Sequence, residues 1–163
     1  MAFNSRSERV RRRILKPWTF RLYLWAKVPL VACAGLRLAY LDGETCTVAL
    51  PGGWRTRNPF SSAYFAAQAM AAEMATGAPA MVLVQGSPIS VALILREVRA
   101  TYTRRIQGSS SYTFADVAGM QAVVERAAAS GESETYTGRV TGRTRDSQAA
   151  SEFEITWSFK RRA

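Results

Sequence analysis

Asn58-Pro-Phe-Ser-Ser-Ala-Tyr-Phe-Ala-Ala-Gln-Ala-Met-Ala-Ala-Glu73-Met-Ala-Thr-Gly77 is the stretch whose reading decides the fold. Alanine stands at 63, 66, 67, 69, 71, 72 and 75, and Glu73 is the only charged residue between Arg57 and Arg96. A segment apolar nearly all round marks a core helix rather than a surface one. Asn58-Pro59 reads as its cap and first turn, and Gly77-Ala78-Pro79 as its stop. The expected helix spans 59–76 and is roughly 25 Å long at ~1.5 Å per residue, about the width of a small sheet. An ionised carboxylate on such a helix is costly to bury without partners or a task. The chain has no histidine, so Glu73 has few rivals as a general base.

Strands are expected on both sides of this helix. Before it, residues 34–50 read as a hairpin around Asp42-Gly43. A three-residue Asp-Gly-Glu loop with Gly43 left-handed would pair Tyr40 with Cys46, Leu38 with Val48 and Leu36 with Leu50. Pro51–Arg57 reads as a loop. After the helix, 81–85, 89–105 and 109–114 are β-rich, and 117–129 has helical spacing through Met120, Val123, Val124 and Ala127. Strands 135–145 and 152–160 follow. In the last, Phe153, Ile155, Trp157 and Phe159 alternate with polar residues.

The chain of 163 residues carries a formal net charge of +10, unevenly placed. Residues 1–27 hold eight basic side chains and one acidic one, Lys160–Arg162 add +3, and 28–159 sum to zero. Residues 9–27 read as an amphipathic helix, broken or restarted at Pro17, lying on the domain or on a membrane surface. We therefore divide the chain into a basic helical arm, 1–28, and a domain, 29–163. Arg11-Arg12-Arg13 with Trp18 invites a nucleic-acid reading, but no recognised motif accompanies it, and none is expected to bind. Cys33 and Cys46 form neither a disulfide framework nor a metal site and are expected as free, buried thiols. No metal is expected. No apolar run reaches the ~20 residues that span a bilayer, and a cytoplasmic location is expected.

The element order resembles the hotdog fold, an α+β arrangement in which a curled antiparallel sheet wraps one long central helix. Thioesterases of the phenylacetyl-CoA type in that superfamily read Asn, then His-Gly-Gly, then Asp or Glu at the fifteenth place; here Asn58 and Glu73 hold the first and last. Tyr64, Phe65 and Ala66 stand where His-Gly-Gly would be. The arginine before Asn58, the helix at 117–129 and the Trp157-Ser-Phe-Lys ending resemble the hotdog branch known as a domain of unknown function, also seen as the C-terminal half of YiiD-type acetyltransferases. The resemblance implies an acyl-CoA substrate, no cofactor beyond that coenzyme A, and a homo-oligomer, at least a dimer, with its pocket between chains. Glu73 is then the general base or nucleophile, or else a buried structural carboxylate. Asn58 orients the carbonyl or water, or caps the helix. Backbone N–H groups near Phe65 and Ala66 would polarise the thioester carbonyl, with Tyr64 supplying a hydroxyl in place of the missing histidine. Arg55 and Arg57 would bind coenzyme A phosphates or stand solvated, and the same holds for Arg139, Arg143 and Arg145. The alternative function is non-catalytic binding of an acyl thioester or fatty acid. Hotdog hydratases resemble the chain less, because they use an Asp-His pair.

Overall fold

The computed structural model describes residues 3–162. Six antiparallel strands form one sheet in the order β1-β2-β4-β5-β6-β3. They are β1 (Arg37–Leu41), β2 (Cys46–Leu50), β3 (Val91–Tyr102), β4 (Ser110–Phe114), β5 (Glu134–Thr144) and β6 (Ala149–Arg161). The central helix α4 (Phe65–Gly86) lies along one face of this sheet. Period-two alternation places Cys46, Val48 and Leu50, then Tyr112 and Phe114, then Phe153, Ile155, Trp157 and Phe159 on the buried face. The register stacks them into layers, with Val48 opposite Tyr112, and Cys46, Phe114, Val140 and Phe153 in line across four strands. The small side chains of Ala67, Ala71, Ala72, Ala75 and Ala78 are buried and let the sheet close around the helix. Helix α5 (Val117–Ser130) covers the end of β5 and β6, capped by Asp116, whose Oδ1 accepts the Gly119 N–H at 3.0 Å.

The helix differs from its expected span at both ends. It starts at Phe65, with no side chain capping it, and it runs through Gly77 and Pro79 to Gly86. Residues 81–85, expected as strand, are its last turns. A proline inside a helix costs ~3 kcal/mol. Val82 and Leu83, both buried in the core, each contribute ~1.5–3 kcal/mol when removed from water, so tertiary burial outweighs the local stop signal.

The hairpin also differs. Leu38 does pair with Val48, but a bulge between Leu38 and Tyr40 then pairs Tyr40 with Thr47 and Leu41 with Cys46. Leu41 therefore enters the core and Tyr40 points out, donating to the Asp42 carboxylate. The loop closes by Asp42 N–H to Thr45 O at 2.9 Å, while Asp42 Oδ1 accepts from the N–H groups of Glu44 and Thr45. With the loop one residue longer than expected, Gly43 does not take a positive φ.

Pro17 restarts the N-terminal helix as expected. Helix α1 (Ser5–Ile14) begins earlier than the sequence suggests, at an Asn4 cap. Helix α2 (Pro17–Lys27) has the proline in its first turn, and α3 (Pro29–Ala34) follows. Ile14, Phe20 and Leu24 join the main core. Helix α1 packs on α4 at one point of close approach: a Cβ on Gly86 would lie 2.7 Å from the Ser7 backbone nitrogen, and Asn4 Nδ2 donates to Gly86 O at 3.3 Å. Arg11, held by Glu8, donates to Leu41 O at 2.9 Å and ties α1 to the sheet edge. Its guanidinium and that of Arg12 lower the Glu8 pKa to about 2. Of the two thiols, Cys46 is buried as expected, whereas Cys33 is exposed on the short helix α3.

Candidate functional site

The start of α4 is built by a stapled loop. Asn58 caps this loop and not the helix. Its Oδ1 accepts from the N–H groups of Phe60 at 3.0 Å and Ser62 at 3.1 Å, and Ser61 takes a positive φ of 58° that ends any continuation into the helix. Ala63 N–H donates to Ile106 O at 2.9 Å and Tyr64 N–H to Thr56 O at 2.7 Å. Gln68 reaches back, its Nε2 donating to Ala63 O, while its Oε1 accepts from the buried Tyr112 hydroxyl at 3.2 Å. These bonds fix where the helix begins.

The N–H groups of Phe65, Ala66 and Ala67 have no acceptor among the described residues. They form the positive end of a long helix dipole, suited to a carbonyl oxygen or an anion. An open groove of about 530 Å³ runs past this end, lined by Asn58, Tyr64, Phe65, Tyr102, Arg104 and Arg105. Tyr64 and Phe65 meet edge to face at 4.8 Å between ring centres. Arg105 donates to Phe60 O and holds the loop against the β3–β4 connection.

Glu73 lies eight residues along α4 from Phe65, roughly 12 Å down the axis at ~1.5 Å per residue. It belongs to a half-buried stripe, Ala66, Met70, Glu73, Gly77, Met81 and Val84, that runs the length of α4 at helical spacing. Gly77 makes room for its carboxylate: a Cβ there would lie 2.8 Å from Glu73 Oε1 and 3.4 Å from the Trp157 ring. The next turn is fixed by Trp157 Nε1, which donates to Thr76 Oγ1 at 2.9 Å. Among the described residues no hydrogen bond or ion pair reaches the Glu73 carboxylate, and burial alone pushes its pKa above the usual 4.5. A carboxylate desolvated in this way is a stronger base than one in water.

The remaining expected site residues are scattered. Asn58, Tyr64 and Phe65 share the groove. Ala66 opens the half-buried stripe on the first turn. Arg57 bridges Ala63 and borders a shallow cleft beside Gly52 and Gly108. Arg55 lies elsewhere, its guanidinium over Gly35. Arg139 pairs with Glu154 at 3.2 Å, and Arg143 donates to Ser147 O at 2.9 Å. Sequence reasoning missed Arg104 and Arg105, because the β-rich run appeared to continue through them. The dibasic pair shortly before Gly108 was the available signal. Among the described residues no cluster of histidine, cysteine, aspartate or glutamate could hold a metal ion, and no helix is long and apolar enough to cross a membrane.

A six-stranded antiparallel sheet curled around one central helix is the hotdog fold, shared with the solved structures named below. The chain belongs to the family described as Domain of unknown function (DUF4442), whose profile matches residues 16–159. No curated protein sequence matches it. Among solved structures it is similar to a protein of unknown function from Chlorobaculum tepidum, at 14% identity, 91% of this chain, 98% of the other and a TM-score of 0.75. It is also similar to a protein from Pseudomonas aeruginosa described as a candidate thioesterase, at 16% identity, 92% and 99% coverage and a TM-score of 0.70. A Staphylococcus aureus thioesterase is similar at 12% identity, 82% and 99% coverage and a TM-score of 0.62. That protein has been crystallised as variants at a glutamine and at a glutamate.

Proposed function

We propose that the protein hydrolyses acyl-CoA thioesters, with Glu73 as general base or nucleophile, at a site shared between two chains. The observation that carries this reading is a desolvated, unpartnered carboxylate on the half-buried stripe of the central helix. Within one chain Glu73 is about two helical turns from the free N–H groups of Phe65 and Ala66, too far to act on a carbonyl held there. A second copy removes that gap if its helix start meets Glu73 across a two-fold axis. The outer edge of β3 supports such pairing. It is twelve residues long, has no neighbour on its far side and exposes Ile94, Leu95, Val98 and Tyr102. An open strand of this kind favours edge-to-edge association. The stripe and the edge adjoin, since Trp157 beside Gly77 pairs with Leu95.

In this arrangement the N–H groups at the helix start polarise the thioester carbonyl. Glu73 takes a proton from water as the water oxygen bonds to the carbonyl carbon. The tetrahedral intermediate collapses, the C–S bond breaks, and the leaving thiolate takes the proton back from Glu73. Arg104 and Arg105, beside the groove, would hold the phosphates of coenzyme A, with Asn58 and Tyr64 placing the thioester. One observation favours the second reading, non-catalytic binding of an acyl thioester. Tyr64 and Phe65 fill with two rings the place where relatives carry His-Gly-Gly.

A hydrolysis screen of acyl-CoAs of graded length separates the two. The wild type is expected to turn over part of the panel, and Glu73→Gln to lower turnover ~10²–10⁴-fold, the range of a positioned acid–base group, with binding nearly unchanged. Binding without hydrolysis across the panel would establish the second reading. An active enzyme indifferent to Glu73→Gln would make the carboxylate structural.

A further inference from the structure

A second cavity, of about 400 Å³, lies away from Glu73, between the α1–α2 junction, α3 and β1. Its size falls in the ~300–1,000 Å³ range of small-molecule sites. Its walls are Ile14, Phe20, Leu24, Ala32 and Leu36, all buried and all apolar, with Leu38 half-buried beside them. Three exposed arginines also line it, Arg21 from α2, Arg37 from β1 and Arg55 from the loop after β2. No lining residue is acidic. Among the described residues none of the three arginines forms an ion pair, whereas Arg11, Arg12, Arg99, Arg126 and Arg139 do. The Arg55 guanidinium is placed by Gly35, which has a φ of 76°; a Cβ there would lie 3.2 Å from Arg55 Nη2.

We propose that this cavity binds a single-chain anionic amphiphile: an aliphatic tail inside, and a carboxylate or phosphate head among Arg21, Arg37 and Arg55. The two halves of the site suit this combination. An uncharged apolar molecule would make no use of the three arginines. A compact anion such as inorganic phosphate would leave the apolar walls unfilled. Guanidinium groups recognise carboxylate and phosphate alike through paired N–H donors, so the head is defined by charge and planar hydrogen bonding. The proposal is independent of hydrolysis at Glu73, because no residue of this cavity lies on α4.

The test is calorimetric titration of the full chain, below the micelle concentration of each probe. Dodecanoate and dodecyl phosphate are expected to bind at one site, the tighter of the two identifying the head. Dodecyltrimethylammonium is expected not to bind. Along the series from octanoate to tetradecanoate, affinity should rise up to about fourfold per methylene, the fold-change equal to ~0.8 kcal/mol, and then level off when the cavity is full. Arg21→Gln with Arg37→Gln alters two exposed side chains and should weaken both anions about tenfold, the worth of one charge-assisted hydrogen bond, while circular dichroism stays unchanged. No saturable binding, equal binding of the cationic probe, or an arginine double variant of wild-type affinity would each overturn the proposal.

Discussion

The two halves of α4 are built from similar residues and differ in what their half-buried stripe meets. From about Ala78 to Gly86 the chain itself reaches the stripe, although Met81 and Val84 stay half-buried: α1 lies against Gly86 and the Tyr23 hydroxyl reaches Met81 Sδ at 3.5 Å. From Phe65 to Gly77 the same stripe is left half open beside an unpaired strand edge, and it contains the only charge on the helix. Small residues serve close packing in the first half. In the second they leave space that the chain does not fill. An alanine-rich helix is thus a core element where something covers it and a prospective site where nothing does.

The sharpest way to break the contrast is to open the closed half. Gly86→Ala puts a methyl group against the Ser7 backbone, which lies in a helix and cannot yield locally. It should cost ~1–3 kcal/mol, as overpacking does, seen in thermal unfolding. Amide exchange should speed up across α1 and little in the first half of α4. If α1 kept full protection, the close approach would not be what fastens it.

Next comes the junction between the halves. Thr76→Val keeps the shape but leaves the buried Trp157 N–H without its acceptor. The expected loss is ~1–3 kcal/mol, the cost of an orphaned buried donor. Tryptophan fluorescence would register the change at Trp157, and an unchanged midpoint in denaturant would show that the indole finds another partner.

At the open half the effect of Asn58→Ala should be smaller. Two backbone N–H groups lose an acceptor, but both lie near the surface, so roughly 1 kcal/mol is expected. Loop residues 58–62 should exchange faster while α4 stays protected, because the helix does not use this side chain. Equal loosening of the first turn of α4 would mean that loop and helix start form one unit.

For Glu73 the informative quantity is a sign. Burial raises its folded pKa above 4.5, so the folded state holds a proton that the unfolded chain has already lost. Stability contributed here is present below the unfolded value and falls as pH rises through the folded one. Glu73→Gln should therefore be more stable than wild type at neutral pH, with the gap closing below about pH 4. The opposite order at neutral pH would reveal a partner for the carboxylate, such as a group from a second chain.

The fold was legible because its signals were periodic and agreed with burial. The alternation of Phe153, Ile155, Trp157 and Phe159 and the near absence of charge from 58 to 95 pointed to a sheet around a core helix. The boundaries were not legible. Gly77 and Pro79 carry a stop signal that holds for an isolated helix and loses to the burial of Val82 and Leu83. Asn58-Pro59 carries a cap signal, and the cap exists, but it closes a loop that Ser61 turns away from the helix axis. The hairpin register slipped because a bulge has no residue code of its own: Ala39 looks like any strand residue. Of the expected site, Asn58, Tyr64 and Phe65 come together because they are near in sequence. Arg104 and Arg105 reach them only through the turn after β3, which no local pattern announces.

The contact between Asn4 and Gly86 spans 82 positions of chain. During synthesis α1 emerges well before its docking surface exists. At ~5–20 residues per second that interval is roughly 4–16 s. Through it Ile14, Phe20 and Leu24 have no core to enter and are free to meet other nascent chains. The eight basic side chains among residues 1–27 surround those three. Their mutual repulsion keeps such a segment extended and apart from its like until the helix that receives it has been made. The segment that precedes its docking surface by 82 positions is thus the one that carries the charge opposing its premature association.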